Sequence, residues 1–426
     1  MKKITIVGLG YVGLTTALGF AKLGHSVIGV ESDVAKLAKL QSGEITIFEQ
    51  NLDLELKKSL DSGLLKLSSS IEVAASESDI YFICVSTPQD SSGSADLAFV
   101  ISACREVGAF APESSVIVLK STVPVGTGEK VASLVGRRDI KYASNPEFLR
   151  EGSALQDFMT PDRIVVGSED AGTSSRIIAL YAKIESLKIE TSTKSAELIK
   201  YAANSYLAAR LSFVNEMASL CEEVGASVDD VMAGMGSDRR IGSSFLSPGP
   251  GWGGSCFPKD TKALLSFANN HGVELRTVSA AIKSNEESFA RVVFKLKSLL
   301  GGQLSGKSIC ALGLSFKANT DDTRDSPSME IIRRLIAEGC SVRGYDPASL
   351  VLPIEGFYQF ETALEAASGS DALVVLTEWS EFEDLDPEPF AKSMKGSIVF
   401  DTRRVFRKEA WREVFEVFEV LGERSH

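Results

Sequence analysis

Along residues 3–31 the hydrophobic pattern changes period twice. "KITIV" is a β-branched run, "YVGLTTALGFAKLG" spaces its apolar residues along one helical face, and "SVIGV" returns to an almost unbroken apolar run. Short apolar runs that end in small polar residues recur in "SDIYFICVSTP" (78–88), "SSVIVLKSTVP" (114–124) and "IKYASNPEF" (140–148). Runs apolar on both faces, interleaved with helical segments, predict a parallel sheet covered on both sides. Residues 194–225, "KSAELIKYAANSYLAARLSFVNEMASLCEEVG", hold a 3.6-residue period with no internal proline or glycine, which predicts one long helix.

Near residue 300 the early pattern returns in the same order. "ITIVGLG" (4–10) has a partner in "ICALGLSF" (309–316), "GHSVIGVESD" (24–33) in "GCSVRGYDPA" (339–348), and "SDIYFICVST" (78–87) in "SDALVVLTEW" (370–379). In the first copy the turn reads Gly8-Leu9-Gly10-Tyr11-Val12-Gly13, between a strand and a helix, with Glu31 eighteen residues after Gly13 at the end of the next strand. That context is the dinucleotide fingerprint. Gly8 permits the tight turn, Gly10 lets backbone approach a pyrophosphate, and Gly13 lets helix and strand pack closely. The first helical amides, at Tyr11, Val12 and Gly13, face the phosphates, and Glu31 holds the ribose hydroxyls. A carboxylate there repels a 2′-phosphate, so the cofactor expected is NAD rather than NADP; Lys36 is placed on the helix after Asp33. In the second copy "GLSFKA" has lost the glycine spacing, so no second cofactor is expected. The predicted fold is α/β: two Rossmann-like doubly wound domains (1–190 and 299–426) joined by a central helical domain (191–298) with a long connecting helix.

Composition narrows the function. The 426 residues are 44% hydrophobic and 24% charged, with a net charge of −12, an ordinary globular mix that argues against a broad nucleic-acid footprint. No run reaches membrane-spanning length, and the N-terminus lacks a signal cleavage site. Six cysteines form no CxxC pair, so neither a disulfide framework, a zinc site nor any other metal is expected, and the setting reads as cytoplasmic. The three histidines are His25, His271 and His426, which leaves the general base to another residue type.

One cysteine stands apart. Cys104 and Cys221 fall in helical patterns, and Cys84, Cys310 and Cys340 in runs that read as strands. Cys256 lies in "GPGWGGSCFPKD" (249–260), a loop that leaves room for a substrate. Pro258 fits a first helical position and Asp260 the first turn, so Cys256 precedes a helix N-terminus, where the dipole favours thiolate. Lys259 adds positive charge. In the long helix Lys200 and Asn204 share a face at i,i+4, with Asn215 nearby. Lys200 reads either as a snorkelling side chain or as a group with a task. NAD together with a nucleophilic cysteine suits oxidation of an alcohol to an acid through a thiohemiacetal and a thioester. Lys200, Asn204 and Asp260 are the right types for first base and oxyanion holder, and Glu147 or Glu151 for activating the hydrolytic water. Thr87, Ser121, Thr122 and Glu147 sit at strand carboxyl ends, where they face ligand or cap turns. Lys317 and Arg324 in "FKANTDDTRDSPS" read as phosphate contacts or as solvated loop charges.

The segments "GLGYVG", "VSTP", "KSTVPVGT", "SNPEFLREG", "ELIKYAANSYLA", "RIGSSFLSPGPGWGGSCFPKD" and "FKANTDDTRDSP" together resemble the UDP-glucose/GDP-mannose dehydrogenase family. The resemblance implies an NAD-dependent four-electron oxidation of UDP-glucose to UDP-glucuronate, releasing two NADH. It assigns Cys256 as the thiohemiacetal and thioester nucleophile, Lys200 and Asn204 as oxyanion holders, Asp260 with Thr122 and a water as first proton acceptor, and Glu147 as base for hydrolysis. Glu147, Phe148, Leu149, Arg150 and Glu151 would line the sugar, with Glu151 also near the nicotinamide. Phe245, Leu246, Ser247, Pro248 and Gly249 would hold the nucleotide half, with Gly253, Lys317 and Arg403. Arg240 would reach across a homodimer interface formed by the central helices. Lys36, Lys259 and Arg324 would contact NAD, as would Thr87 and Thr122 from their places at strand carboxyl ends.

Alternatives are the same chemistry on GDP-mannose or a UDP-N-acetylhexosamine, a single-step hydroxyacid dehydrogenase of the 6-phosphogluconate type, and a non-catalytic NAD-binding regulator. "PDRIVVG" and "FLSPGPGWGGSCFPKD" favour UDP-glucose. Two positions depart from the family pattern. Glu31 replaces the usual aspartate, and "ITIFEQNL" stands where a segment ending near Glu-Pro-Gly-Leu is usual, which implies another conformation for the 44–52 loop.

Overall fold

The computed structural model describes residues 2–90, 93–348, 352 and 354–424; His426 lies outside them. The chain forms two compact units, Met1–Ala203 with Lys262–His271, and Asn204–Thr261 with Gly272–His426.

In the first unit, β1 (Lys3–Val7), β2 (Ser26–Val30), β3 (Leu65–Ser68), β4 (Ile80–Ile83), β5 (Val116–Leu119), β6 (Lys141–Ser144), β7 (Arg163–Gly167) and β8 (Leu187–Thr191) form one sheet, ordered β3-β2-β1-β4-β5-β6-β7-β8. The first six are mutually parallel, in the strand order of a doubly wound dinucleotide fold. β6 meets β7 antiparallel at Ser144 and Gly167 alone. β4 and β5 are buried on both faces. Their period of two splits the core: Ile80, Phe82, Val116 and Val118 pack on one side, Tyr81, Ile83, Ile117 and Leu119 on the other.

In the second unit, β9 (Ser308–Leu312), β10 (Ser341–Tyr345), β11 (Phe357–Gln359), β12 (Ala372–Val375), β13 (Ile398–Asp401) and β14 (Val417–Val420) form a parallel sheet ordered β11-β10-β9-β12-β13-β14. This repeats the first order strand for strand, as the sequence repeat predicts. The turns repeat too. The Gly8 amide donates to Val30 O (2.9 Å) and the Gly313 amide to Tyr345 O (2.8 Å), each glycine with a positive φ. The acid matching Glu31 is Asp346. Its Oδ2 accepts from the amides of Leu314 and Ser315, from Ser315 Oγ and from Trp379 Nε1. These donors tie Asp346 into the turn of its own unit.

The long helix runs Thr193–Val224, as its periodicity predicts, and the boundary between the units falls inside it, after Ala203. Two smaller expectations need correction. Cys84 lies one residue past β4, its amide still donating to Val7 O (2.8 Å), and Cys340 one residue before β10, its amide turned back to Leu335 O (3.0 Å). The helix after Cys256 is Phe257–Asn270, so Phe257 holds its first position and Pro258 the second. In the 44–52 loop the chain makes a left-handed turn without glycine. Asn51 takes φ +60°, and asparagine is among the few residues other than glycine that visit this region readily. Among the described residues no helix is long and apolar enough to cross a membrane.

Candidate active site

The sterics of the first turn differ from glycine to glycine. Gly8 has φ +88°, and a Cβ on Gly13 would lie 1.8 Å from Gly8 O, whereas a Cβ on Gly10 would meet nothing within 4 Å. Gly10 therefore borders open space at the head of the helix Tyr11–Lys22, whose first amides lack a side-chain cap. Glu31 follows β2. Burial pushes its carboxyl up, but Lys36 (Nζ–Oε2 2.8 Å) and the Asp33 and Leu9 amides together hold it below the usual range. A carboxylate at this edge, beside bare helix amides, fits the ribose and pyrophosphate of NAD. Gly10→Ala is expected to fold with nearly unchanged Tm but to weaken NAD binding about tenfold or more by filling the phosphate approach. Gly13→Ala is expected to lower Tm by roughly 5 °C or more, because two backbone segments must separate. Calorimetry and NAD titration distinguish the two variants.

Past β6, still in the first unit, Glu147 is 6% exposed and Lys200 4%. Lys200 Nζ lies 2.8 Å from Glu147 Oε1, and the Leu149 amide donates to Oε2 at 2.6 Å. Burial drives the Glu147 carboxyl up. Lys200, the Leu149 amide and Lys120 outweigh it and hold the group ionised below its ordinary range. Lys200 therefore carries an ion pair and does not snorkel. Thr87 Oγ1 donates to Thr122 O (3.0 Å) and Ser121 Oγ to Val85 O (2.6 Å), so both hydroxyls also tie the ends of β4 and β5 together. Phe148 stacks under the Arg163 guanidinium at 3.8 Å, and Arg150 pairs with Asp157.

In the second unit Cys256 is half-buried at the head of the helix Phe257–Asn270, and its carbonyl accepts the Asp260 amide (2.9 Å). One turn on, Asp260 is 1% exposed and bound through both oxygens: Asn204 Nδ2 donates to Oδ2 (2.6 Å) and Lys259 Nζ to Oδ1 (2.7 Å). The other five cysteines are buried. Gly253 admits no side chain, since a Cβ would lie 2.0 Å from Asp325 O. In the 245–249 strip, Phe245 takes φ +58°, Leu246 is buried, and the Gly249 amide donates to Asn215 Oδ1 (2.9 Å). Arg403 lies over Gly249, anchored to Leu376 O (2.8 Å) and Glu378. Lys317 Nζ sits 5.5 Å from the centre of the Phe316 ring, Arg324 pairs with Asp322, and Arg240 pairs with Asp238 at the surface.

Sequence reasoning missed several supporting groups. Glu49, in the departing loop, accepts from Tyr11 Oη and from the amides of Gly152 (2.7 Å) and Ala154 (2.6 Å), fixing the loop against the 150–154 segment. Glu197 accepts the Gly126 and Gly128 amides (2.6 and 2.8 Å) and so moors the segment after Thr122. Burial pushes this carboxyl up to about 7. Lys120 is a buried lysine just past β5; its signal was a lysine closing the wholly apolar run "VIVLK".

Comparisons with known proteins cover the whole arrangement. Models of the UDP-glucose/GDP-mannose dehydrogenase family match in order: the NAD binding domain at residues 2–185, the central domain at 194–287 and the UDP binding domain at 310–408. A UDP-glucose 6-dehydrogenase of Rhizobium meliloti is 42% identical over 96% of this chain and 96% of its own length. The structure of a UDP-glucose dehydrogenase from Pyrobaculum islandicum superposes with a TM-score of 0.91 at 37% identity, covering 100% of this chain and 98% of that one. That of a UDP-D-ManNAc dehydrogenase from Pyrococcus horikoshii gives 0.87 at 28% identity, covering 99% of each.

Proposed function

Because the chain belongs to the UDP-glucose/GDP-mannose dehydrogenase family, we propose that it oxidises UDP-glucose to UDP-glucuronate with NAD, through a covalent bond to Cys256. The observation that carries the chemistry is Cys256 at a helix N-terminus, one turn before a buried Asp260 bound to Asn204. The substrate follows from the near full-length likeness to UDP-glucose dehydrogenases.

NAD supplies a hydride acceptor at each of two oxidations. In the first, Asp260, with Thr122 and a water, takes the hydroxyl proton as the alcohol becomes an aldehyde. The Cys256 thiolate then adds to the aldehyde carbon. Lys200 and Asn204 donate to the oxyanion of the thiohemiacetal, which the second oxidation converts to a thioester. Glu147 accepts a proton from the attacking water, and Cys256 leaves as thiolate. The Glu147–Lys200 pair suits this order: as the Lys200 charge is drawn toward an oxyanion, Glu147 gains basicity.

We assign residues 1–190 to NAD, with Glu151 at the nicotinamide and Lys36, Thr87, Lys259 and Arg324 as further contacts. Residues 299–426, with Lys317 and Arg403, take the uridine nucleotide beside the 245–249 strip. The central helices, 191–298, form a homodimer. Tyr206, Phe213, Leu220 and Val224 lie exposed along the long helix, a stripe that a second copy would cover, with Arg240 reaching the partner's site. Six free cysteines fit a reducing cytoplasm.

The test is NADH formed per sugar with limiting UDP-glucose and excess NAD. Two per sugar is expected. One per sugar would leave Cys256 without its role. None, with turnover of GDP-mannose or a UDP-N-acetylhexosamine, would move the chemistry to that substrate.

A further inference from the structure

Behind Glu147 lies a small cavity of about 40 Å³, lined in part by Lys120, Asn145, Asp157, Arg163 and Tyr181. Lys120 is 4% exposed, and its hydrogen bonds go to neutral oxygens: Asn145 Oδ1 at 3.1 Å and Asn145 O at 3.4 Å. Tyr181 Oη donates to the same Oδ1 (2.7 Å), Asn145 Nδ2 to Val165 O (2.8 Å), and the Asn145 amide to Leu119 O (2.9 Å). Asn145 is thus pinned by the strands on either side and by Tyr181. It stands two residues before Glu147, across Pro146.

A buried ammonium with no carboxylate in contact is costly, and an apolar side chain would pack a strand end at less cost. The groups facing it are Glu147, Lys200 from the long helix, Arg163 from β7, Asp157, Tyr181, and Cys84 past β4. Burial lowers its pKa to about 8 and Lys200 opposes its charge, while Cys84 and Glu147 favour it. At neutral pH it is mostly a cation. When the Lys200 charge is drawn to an oxyanion, burial pushes the Glu147 carboxyl up with less to oppose it. A second, fixed cation adds to the Leu149 amide in holding it down.

We propose that Lys120 is a positioning residue for thioester hydrolysis, fixing the 145–147 turn through Asn145 and keeping Glu147 ionised while Lys200 serves the oxyanion. The proposal rests on Glu147 being the hydrolytic base. In that step the water oxygen bonds to the acyl carbon, its proton passes to Glu147, and the C–S bond breaks to release the Cys256 thiolate.

The experiment is rapid mixing of Lys120→Met and Lys120→Gln with UDP-glucose and excess NAD. Expected are a burst of two NADH per site at close to the wild-type rate and a steady state slowed about 10- to 100-fold. Acyl-enzyme should accumulate on Cys256 by intact-protein mass spectrometry. The steps before hydrolysis being unchanged, kcat/KM for UDP-glucose should stay within about threefold while KM falls in step with kcat. Loss of the cation raises the Glu147 pKa, so the acid limb of kcat should move up by about one pH unit. Lys120→Arg, with the cavity beside it, should leave that limb in place. Glutamine keeps a donor for Asn145, so Lys120→Gln separates charge from hydrogen bonding. If burst and steady state fall together, if the acid limb stays put, or if both neutral variants fail to fold, Lys120 is structural and the proposal is overturned. Glu147→Gln run in parallel separates the two claims. If it accumulates acyl-enzyme and the Lys120 variants do not, only the role of Lys120 falls. If it turns over without acyl-enzyme, the base assignment falls and this proposal with it.

Discussion

Replacing Cys256 with alanine is expected to lower acid formation by about 10⁴-fold or more, while aldehyde-level oxidation persists. The thiolate is the one group proposed to bond to the sugar carbon, and without it the aldehyde has no covalent route to a second hydride loss. NADH per sugar should fall from two toward one or less. Cys256→Ser keeps the shape but presents a hydroxyl whose oxyester hydrolyses less readily, so it should trap a covalent adduct visible by mass. No other thiol is placed to substitute. Burial pushes Cys84 and Cys104 up to about 12, Cys340 to about 11, and Cys310 higher still. A thiol reagent at neutral pH should therefore modify Cys256 in preference to these four, and UDP-glucose should protect it. Full turnover by the alanine variant would sink the covalent mechanism.

The sequence made the scaffold legible because strand runs, the glycine turn and the long helix are local signals. Gly8, Gly10 and Gly13 are each explained by sterics within a few residues, and the second sheet follows from three aligned segments. Cys256 was legible because one thiol in a glycine-rich loop contrasts with five in apolar runs. The supporting groups were not. Lys120 meets Asn145 across 25 residues, and Glu197 meets Gly126 across 71. Glu49 sits in a segment whose departure from the family pattern suggested a different loop. Asn51 supplies a left-handed turn there, and Glu49 accepts from Tyr11 Oη and the Gly152 amide. Buried charges of this kind carry no periodicity; the fold alone brings their partners together.

Lys200→Met is expected to damage stability and catalysis by separable routes. Lys200 and Glu147 are both buried, 2.8 Å apart, and removing the cation leaves the carboxylate with one amide and the more distant charge of Lys120. Breaking a buried pair from one side costs about 3–5 kcal/mol, and the remaining cation places this case near the lower figure. For a unit of this size Tm should fall by roughly 6–12 °C. Turnover should fall further, by about 10²–10³-fold from the lost oxyanion donor. The double variant Lys200→Met with Glu147→Gln removes the orphaned charge, so it should recover most of the lost stability with a coupling of about 2 kcal/mol. It should recover no activity, because base and oxyanion donor are then both absent. Thermal unfolding of the four proteins closes the cycle, and single-turnover NADH formation reads the chemistry. If Lys200→Met were as stable as wild type, the pair would not hold Glu147. If the double variant regained turnover, Lys200 would act only by neutralising Glu147, and the oxyanion would need another donor.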